Sequence, residues 1–155
     1  MKNLSVAFLL LFSVVIYHSC KEKDNNNNNN SDNTPSKSKA ELLTQKKWKV
    51  SSINASGTEV WILVPPCNMD NTYEFKTSNI LTGFDIPTKC NSTDPDSTNS
   101  PYALISNNTK IYLNAKLSST ITIDDTTDIV QLDENTLKLS IEYSSIPAVL
   151  TFVHP

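Results

Sequence analysis

The 155-residue chain contains no arginine, two glycines and three cysteines, and each scarcity excludes something. Without arginine there is no planar fork for bidentate recognition of phosphate or carboxylate. Two glycines are too few for a phosphate-cradling loop, and neither a dinucleotide-binding nor a P-loop pattern occurs. The formal net charge of −3 supplies no basic face for nucleic acid, which is excluded as a partner. Histidine appears only at positions 18 and 154, so a Ser-His or Cys-His catalytic pair would have to rest on His154, beside the terminal Pro155, where fraying is expected. Metal chelation would need further Cys or His at fixed spacing, and none stands near Cys67 or Cys90. No cofactor is implied, and the chain reads as a binding protein rather than an enzyme.

The apolar stretch of residues 6–17 follows Lys2 and is too short for the roughly 20 residues of a membrane-spanning helix. A basic residue before a short apolar run is the layout of a secretory signal, here residues 1–19. The run ends in Tyr17-His18-Ser19-Cys20, a small residue directly before a cysteine, which resembles a bacterial lipobox with Cys20 as the lipidated first residue of the mature chain. Attachment of two or more acyl chains would hold the protein stably on a membrane. The expected location is the cell envelope, as an outer-membrane lipoprotein, and Lys21-Glu22-Lys23-Asp24 resembles the charged export signal of surface-exposed lipoproteins.

Residues 20–39 hold six consecutive asparagines and no large apolar side chain after Cys20. Such a segment cannot bury enough apolar surface to offset its ordering entropy, so it is expected to be a flexible tether. Its reach is about 25 Å by random-coil scaling.

Residues 40–155 form the expected folded domain, with a short helix near residues 40–45 capped by Ser38. Beyond it the pattern has period two. Trp48, Val50 and Ser52 alternate with Lys49, Ser51 and Ile53; Tyr73 and Phe75 with Glu74 and Lys76; Leu137, Leu139, Ile141 and Tyr143 with Lys138, Ser140 and Glu142. Shorter runs at Ile111 and Leu113, Ile121 and Ile123, and Leu150 and Phe152 follow the same rule, with Asp124-Asp125 and Asp133-Glu134-Asn135 read as turns. Alternation on short, regularly spaced strands predicts an all-β antiparallel sandwich or barrel. Cys67 and Cys90 lie behind an export signal, in an oxidising compartment, and are expected to form a disulfide. The apolar run of residues 61–66 is either a buried strand or a lid.

The carboxylate pairs Asp94/Asp96 and Asp124/Asp125/Asp128 sit among Ser, Thr and Pro, where Asp serves local backbone hydrogen bonds more readily than acid–base chemistry. Asp94-Pro95-Asp96 opens like a calcium loop but lacks glycine at the sixth position and glutamate at the twelfth.

Residues 43–50, Leu-Thr-Gln-Lys-Lys-Trp-Lys-Val, resemble the opening of the lipocalin-like domains of Bacteroidetes lipoproteins, with Lys46 where a glycine is usual. Residues 67–75, Cys-Asn-Met-Asp-Asn-Thr-Tyr-Glu-Phe, are similar to that group's cysteine–aspartate–phenylalanine segment, followed by a second cysteine and an aromatic strand at residues 102–105. The resemblance implies an up-and-down antiparallel barrel of about eight strands, closed partly by the N-terminal helix. Tyr73, Phe75, Tyr143 and Phe152 fall on the apolar phase of their strands and so are expected to face the interior as candidate ligand contacts. Such a barrel is either filled by its side chains or holds one small ligand. The expected partners are the membrane, through the N-terminal lipid, and a small hydrophobic or amphipathic ligand, with a surface-bound protein or glycan as the alternative. The domain is expected to be a monomer.

Overall fold

A computed structural model describes residues 36–155; the export signal, Cys20 and most of the tether lie outside the described residues. The described chain begins at a helix, α1 (Lys39–Thr44), and continues as nine strands. These are β1 (Trp48–Ala55), β2 (Thr58–Glu59), β3 (Thr72–Lys76), β4 (Ile80–Phe84), β5 (Ser97–Ile105), β6 (Lys110–Lys116), β7 (Thr122–Leu132), β8 (Thr136–Tyr143) and β9 (Ile146–Val153). A 3₁₀ turn (Trp61–Leu63) and the four-residue α2 (Pro66–Met69) interrupt the β2–β3 connection. Each strand from β3 to β9 pairs antiparallel with the next, and β1 pairs with both β3 and β9, closing an eight-stranded up-and-down barrel with β2 as an extra flap on β1. Of the all-β sandwich and barrel that the alternation allows, the barrel is therefore the fold.

Local chemistry explains the elements. Ser38 is the N-cap of α1: its hydroxyl accepts from the Glu41 backbone N–H at 3.2 Å, while the Glu41 carboxylate accepts from the Ser38 N–H at 2.7 Å. This reciprocal capping satisfies two N–H groups that a helix start leaves free. Glycine is scarce, so the reversals recruit other residues: among the described residues seven non-glycine positions, all Ser or Asn, have positive φ. Ser144 and Ser145, at φ 50° and 63°, make a two-residue hairpin turn between β8 and β9 in the left-handed conformation whose twist suits paired strands. Ser56 and Gly57 do the same between β1 and β2, helped by the Asn54 side chain accepting from the Gly57 N–H at 2.8 Å.

Two sequence expectations are corrected. Simple alternation would point Ser52 inward and Ile53 outward. A bulge between Val50 and Ser52 in the β1–β9 ladder inserts one residue, so Val50 and Ile53 both face the core, at 2% and 0% exposure. Asp124 and Asp125 are not a turn. They lie within β7, paired with Asn114 and Leu113 of β6, because hydrogen bonding along seven consecutive partners outweighs the turn preference of aspartate.

The turn at residues 133–135 is as expected. One Asp133 oxygen accepts from the N–H groups of Asn135 and Thr136 at 2.8 Å each, and the other accepts from Gln131. The Gln131 bond and then the Asn135 N–H hold its carboxyl below the ordinary value of 3.8. Glu134, bonded to and paired with Lys37, and Glu41, bonded to Ser38, are likewise lowered from 4.5. Folding thus favours the charged forms, so this stabilisation is complete above the unfolded carboxyl range and is lost as pH falls through the depressed folded values. We expect the thermal midpoint to fall between about pH 5 and pH 3, with Asp133→Asn flattening part of that slope; an unchanged slope in the variant would contradict the assignment.

Candidate functional site

The barrel interior is filled. Trp48, Phe75, Phe152, Ile53, Ile111, Leu113, Leu137, Leu139 and Leu150 are all below 2% or at most 2% exposed. The predicted interior aromatics take part in this packing. Tyr73 meets Phe152 edge-on with centroids 5.8 Å apart, and Phe75 meets Tyr102 edge-on at 5.0 Å. Such T-shaped pairs contribute roughly 0.5–1.5 kcal/mol each beyond the area they bury. Tyr143, at the end of β8, is only half-buried and packs against the margin of the core.

Space is found instead where the barrel wall divides. β5 pairs with β4 from Ser97 to Pro101 and with β6 only from Tyr102 to Ile105. Above the Tyr102–Leu113 pair the two strands part, and a cleft of about 310 Å³ opens with Thr98 and Ser100 of β5 on one side and Asn114 and Lys116 of β6 on the other. Its volume lies at the lower end of small-molecule sites, roughly 300–1,000 Å³. Of the four aromatics predicted as ligand contacts, Tyr73 alone lines it; Phe75, Phe152 and Tyr143 do not.

Sequence dictates the cleft's shape through few residues. Gly83 on β4 faces Tyr73, and a Cβ there would lie in ordinary van der Waals contact, 3.4 Å from the ring and 3.5 Å from the Thr98 hydroxyl, so the ring and β5 pack closely over this position. The Cys67–Cys90 disulfide, with Cα atoms 5.1 Å apart, ties α2 to the β4–β5 loop and so joins two sides of the cleft. Lys89 braces the same loop, pairing with Asp96 and donating to the Asp94 carbonyl at 2.7 Å. Phe84 forms another part of the lining, with the Lys47 ammonium 3.8 Å above its ring.

The cleft borders most of the unsatisfied polar chemistry of the described residues. Six buried side-chain atoms lack a hydrogen-bond partner, and four belong to lining residues: Asn68 Nδ2, Asn71 Oδ1, the Tyr73 hydroxyl and Asp85 Oδ1. A fifth, Asp70 Oδ1, lies in the same segment. Each such group costs roughly 1–3 kcal/mol when left unmade. Burial, with Asp85 nearby adding to it, pushes the Tyr73 phenol far above its ordinary value, so it stays protonated and able to donate. A second hollow of about 340 Å³ lies between α1 and the Tyr102 region, but the Tyr102 hydroxyl there already donates to the Lys76 carbonyl at 2.6 Å.

Asn68, Asn71 and Asp85 were not recognised from sequence as site residues. Asn68 and Asn71 lie within the cysteine-led segment that carried the family resemblance, but nothing in their spacing signals that a buried Asn68 and a half-buried Asn71 both line the cleft beside β4. His154 is also placed differently from expectation. Its Nδ1 lies 2.7 Å from the Lys47 carbonyl, its Nε2 2.9 Å from the Glu134 carbonyl, and its ring 4.1 Å from Trp48, so the chain end is pinned rather than frayed. Asp94 and Asp96 occupy the β4–β5 loop, and Asp124, Asp125 and Asp128 occupy β7. Among the described residues no group of three or more His, Cys, Asp or Glu is arranged to hold a metal ion.

The fold and cleft define an eight-stranded antiparallel barrel with a packed interior and a polar opening in its wall. No known family model matches the chain, and no curated protein matches it.

Proposed function

We propose that this protein is a lipid-anchored lipoprotein of the bacterial envelope, of the lipocalin-like kind, whose barrel binds a small amphipathic ligand in the cleft between β5 and β6. The single observation that carries the binding role is the parting of those strands over a 310 Å³ space bordered by buried, unpartnered polar groups. The anchor is supported by the arrangement of Lys2, the apolar run and Ser19-Cys20. Aromatic and aliphatic surface from Phe84, Leu117 and the Tyr73 ring suits the apolar part of such a ligand. Binding rather than catalysis fits a site whose carboxylates and hydroxyls have no histidine among them.

Native mass spectrometry of the full lipoprotein, extracted from its own envelope in mild detergent, tests the binding role: a retained small molecule is expected, and a bare protein would overturn it. Replacing Cys20 by Ser should move the protein from the membrane to the soluble fraction, and continued membrane retention would refute the lipid anchor.

A second reading, docking of a protein partner on the barrel surface, is favoured by Ile62 and Leu63. They stand 70% and 74% exposed on the 3₁₀ turn while their neighbours Trp61 and Val64 are buried. This short apolar run is thus a 3₁₀ turn with two exposed side chains anchored from beneath, and not the buried strand that was one of the two forms expected from sequence. Under this reading Ile62→Ser with Leu63→Ser abolishes capture of the partner and leaves the thermal midpoint unchanged; undiminished capture would dismiss it.

A further inference from the structure

The cleft's own hydrogen-bonding inventory narrows the ligand, on the premise that the cleft binds one. Uncharged groups dominate its lining, among them Asn68, Asn71, Ser100, Asn114 and Ser118, and its charges are mixed, with Asp85 and Asp94 against Lys116. The four unpartnered atoms are of different kinds. Asn68 Nδ2 can only donate, Asn71 Oδ1 and Asp85 Oδ1 can only accept, and the Tyr73 hydroxyl can do both.

Each simple ligand chemistry can be set against that inventory. An ammonium group only donates, so it leaves Asn68 Nδ2 unmet and shares the cleft with Lys116. A carboxylate or phosphate only accepts, so it leaves Asn71 and Asp85 unmet and faces two carboxylates. An aliphatic chain answers none of the four, leaving each penalty in place. A hydroxyl both donates and accepts, and adjacent hydroxyls do so in several directions at once. Phe84, Leu117 and Pro95 add apolar surface that matches the C–H face of a saturated ring.

We infer that the cleft binds a neutral polyhydroxylated ligand of the monosaccharide class, with hydroxyls paired to Tyr73, Asp85, Asn71 and Asn68. These atoms are shielded from solvent in the barrel and hydrogen-bond to no protein group. Asn71 and Asp85 are only half-buried as residues, so pairing with a ligand requires their side chains to turn toward the cleft. Ring hydroxyls then replace the missing partners, while the ring's C–H face lies toward Phe84.

The test titrates the full lipoprotein in detergent with D-glucose, D-galactose and D-mannose as neutral probes. Glucosamine, glucuronate and decanoate are the cationic, anionic and aliphatic counterparts, and the identity of any molecule retained in native mass spectrometry is read alongside. At least one neutral sugar is expected to raise the thermal midpoint saturably, at least tenfold more tightly than its charged counterparts. Asn71→Ala and Asp85→Asn are each expected to weaken it tenfold or more, while Asn79→Ala, in the second hollow, leaves it unchanged. A retained polyol supports the inference even where none of the three sugars binds. Saturation by decanoate alone, or a retained aliphatic or charged molecule, overturns the ligand class and leaves the binding role standing. A bare protein that binds none of the probes overturns the binding role, and the inference with it. Where Asp85→Asn fails to fold, Asn71→Ala and Ser100→Ala decide the case.

Discussion

Replacing Trp48 by Ala is expected to destabilise the barrel by about 3–5 kcal/mol, the usual range for deleting a large buried aromatic side chain. The indole is fully buried, and its ring packs at a tilt of 34° against His154. Its Nε1–H donates to the Leu43 carbonyl at 2.8 Å, at the end of α1, so one side chain fills the core and ties the helix to it. Total stabilities of 5–15 kcal/mol are typical, so the loss is a large share of the whole. Trp48→Phe keeps most of the volume but strands the Leu43 carbonyl, and about 1–3 kcal/mol is expected. Urea unfolding followed by far-ultraviolet circular dichroism measures both. A Phe variant as unstable as the Ala variant would show that the hydrogen bond, and not the packing, dominates.

Removing the disulfide by Cys67→Ser with Cys90→Ser is expected to cost about 3 kcal/mol, from the freedom regained by the unfolded chain when a loop with 23 residues of sequence separation is opened. For a domain of this size the thermal midpoint should drop by about 10 °C. Reducing the native protein should reproduce the effect, and a drop of only a degree or two would mean that the β4–β5 loop is held by its other contacts. Chief among those are the Lys89 contacts to Asp96 and Asp94, and the Asp85 N–H donating to the Asp96 carbonyl at 2.9 Å. The bridge also spans the cleft, with Asn68 next to Cys67 on one side and Asp94 in the loop of Cys90 on the other. Any ligand held there should therefore bind more weakly to the double variant.

The barrel was legible because its strands obey period two wherever a single face is buried. Leu137, Leu139 and Ile141 point inward as their alternation with Lys138, Ser140 and Glu142 predicts. Ser38 announced the helix start, since its hydroxyl and a glutamate three residues on form the reciprocal cap seen in the structure. The failures also have local causes. A bulge is one extra residue set by pairing with β9, at the far end of the chain, and leaves no mark in the composition of β1. Asp124 and Asp125 look like turn residues in isolation, and only the facing β6 converts them into strand.

The scarcity of arginine, glycine and cysteine left a reading that stands: an all-β domain with a single disulfide and strands set by alternation, properties that depend on near neighbours and on the phase of the chain. The lack of glycine was met locally, by serine and asparagine in left-handed turns. The cleft was of another kind. Tyr73 was chosen from its apolar phase, yet its hydroxyl matters because it is buried without a protein partner in a residue that lines the cleft, and Asp85 lies near. Asn68 and Asn71 join it through α2, and the opening exists because β5 changes partners at Tyr102. These are relations among residues brought together from four separate segments, and they come into being when the barrel closes. Alternation along a strand tells which side chains face inward; how far two neighbouring strands stay paired is settled by the closure of the whole sheet.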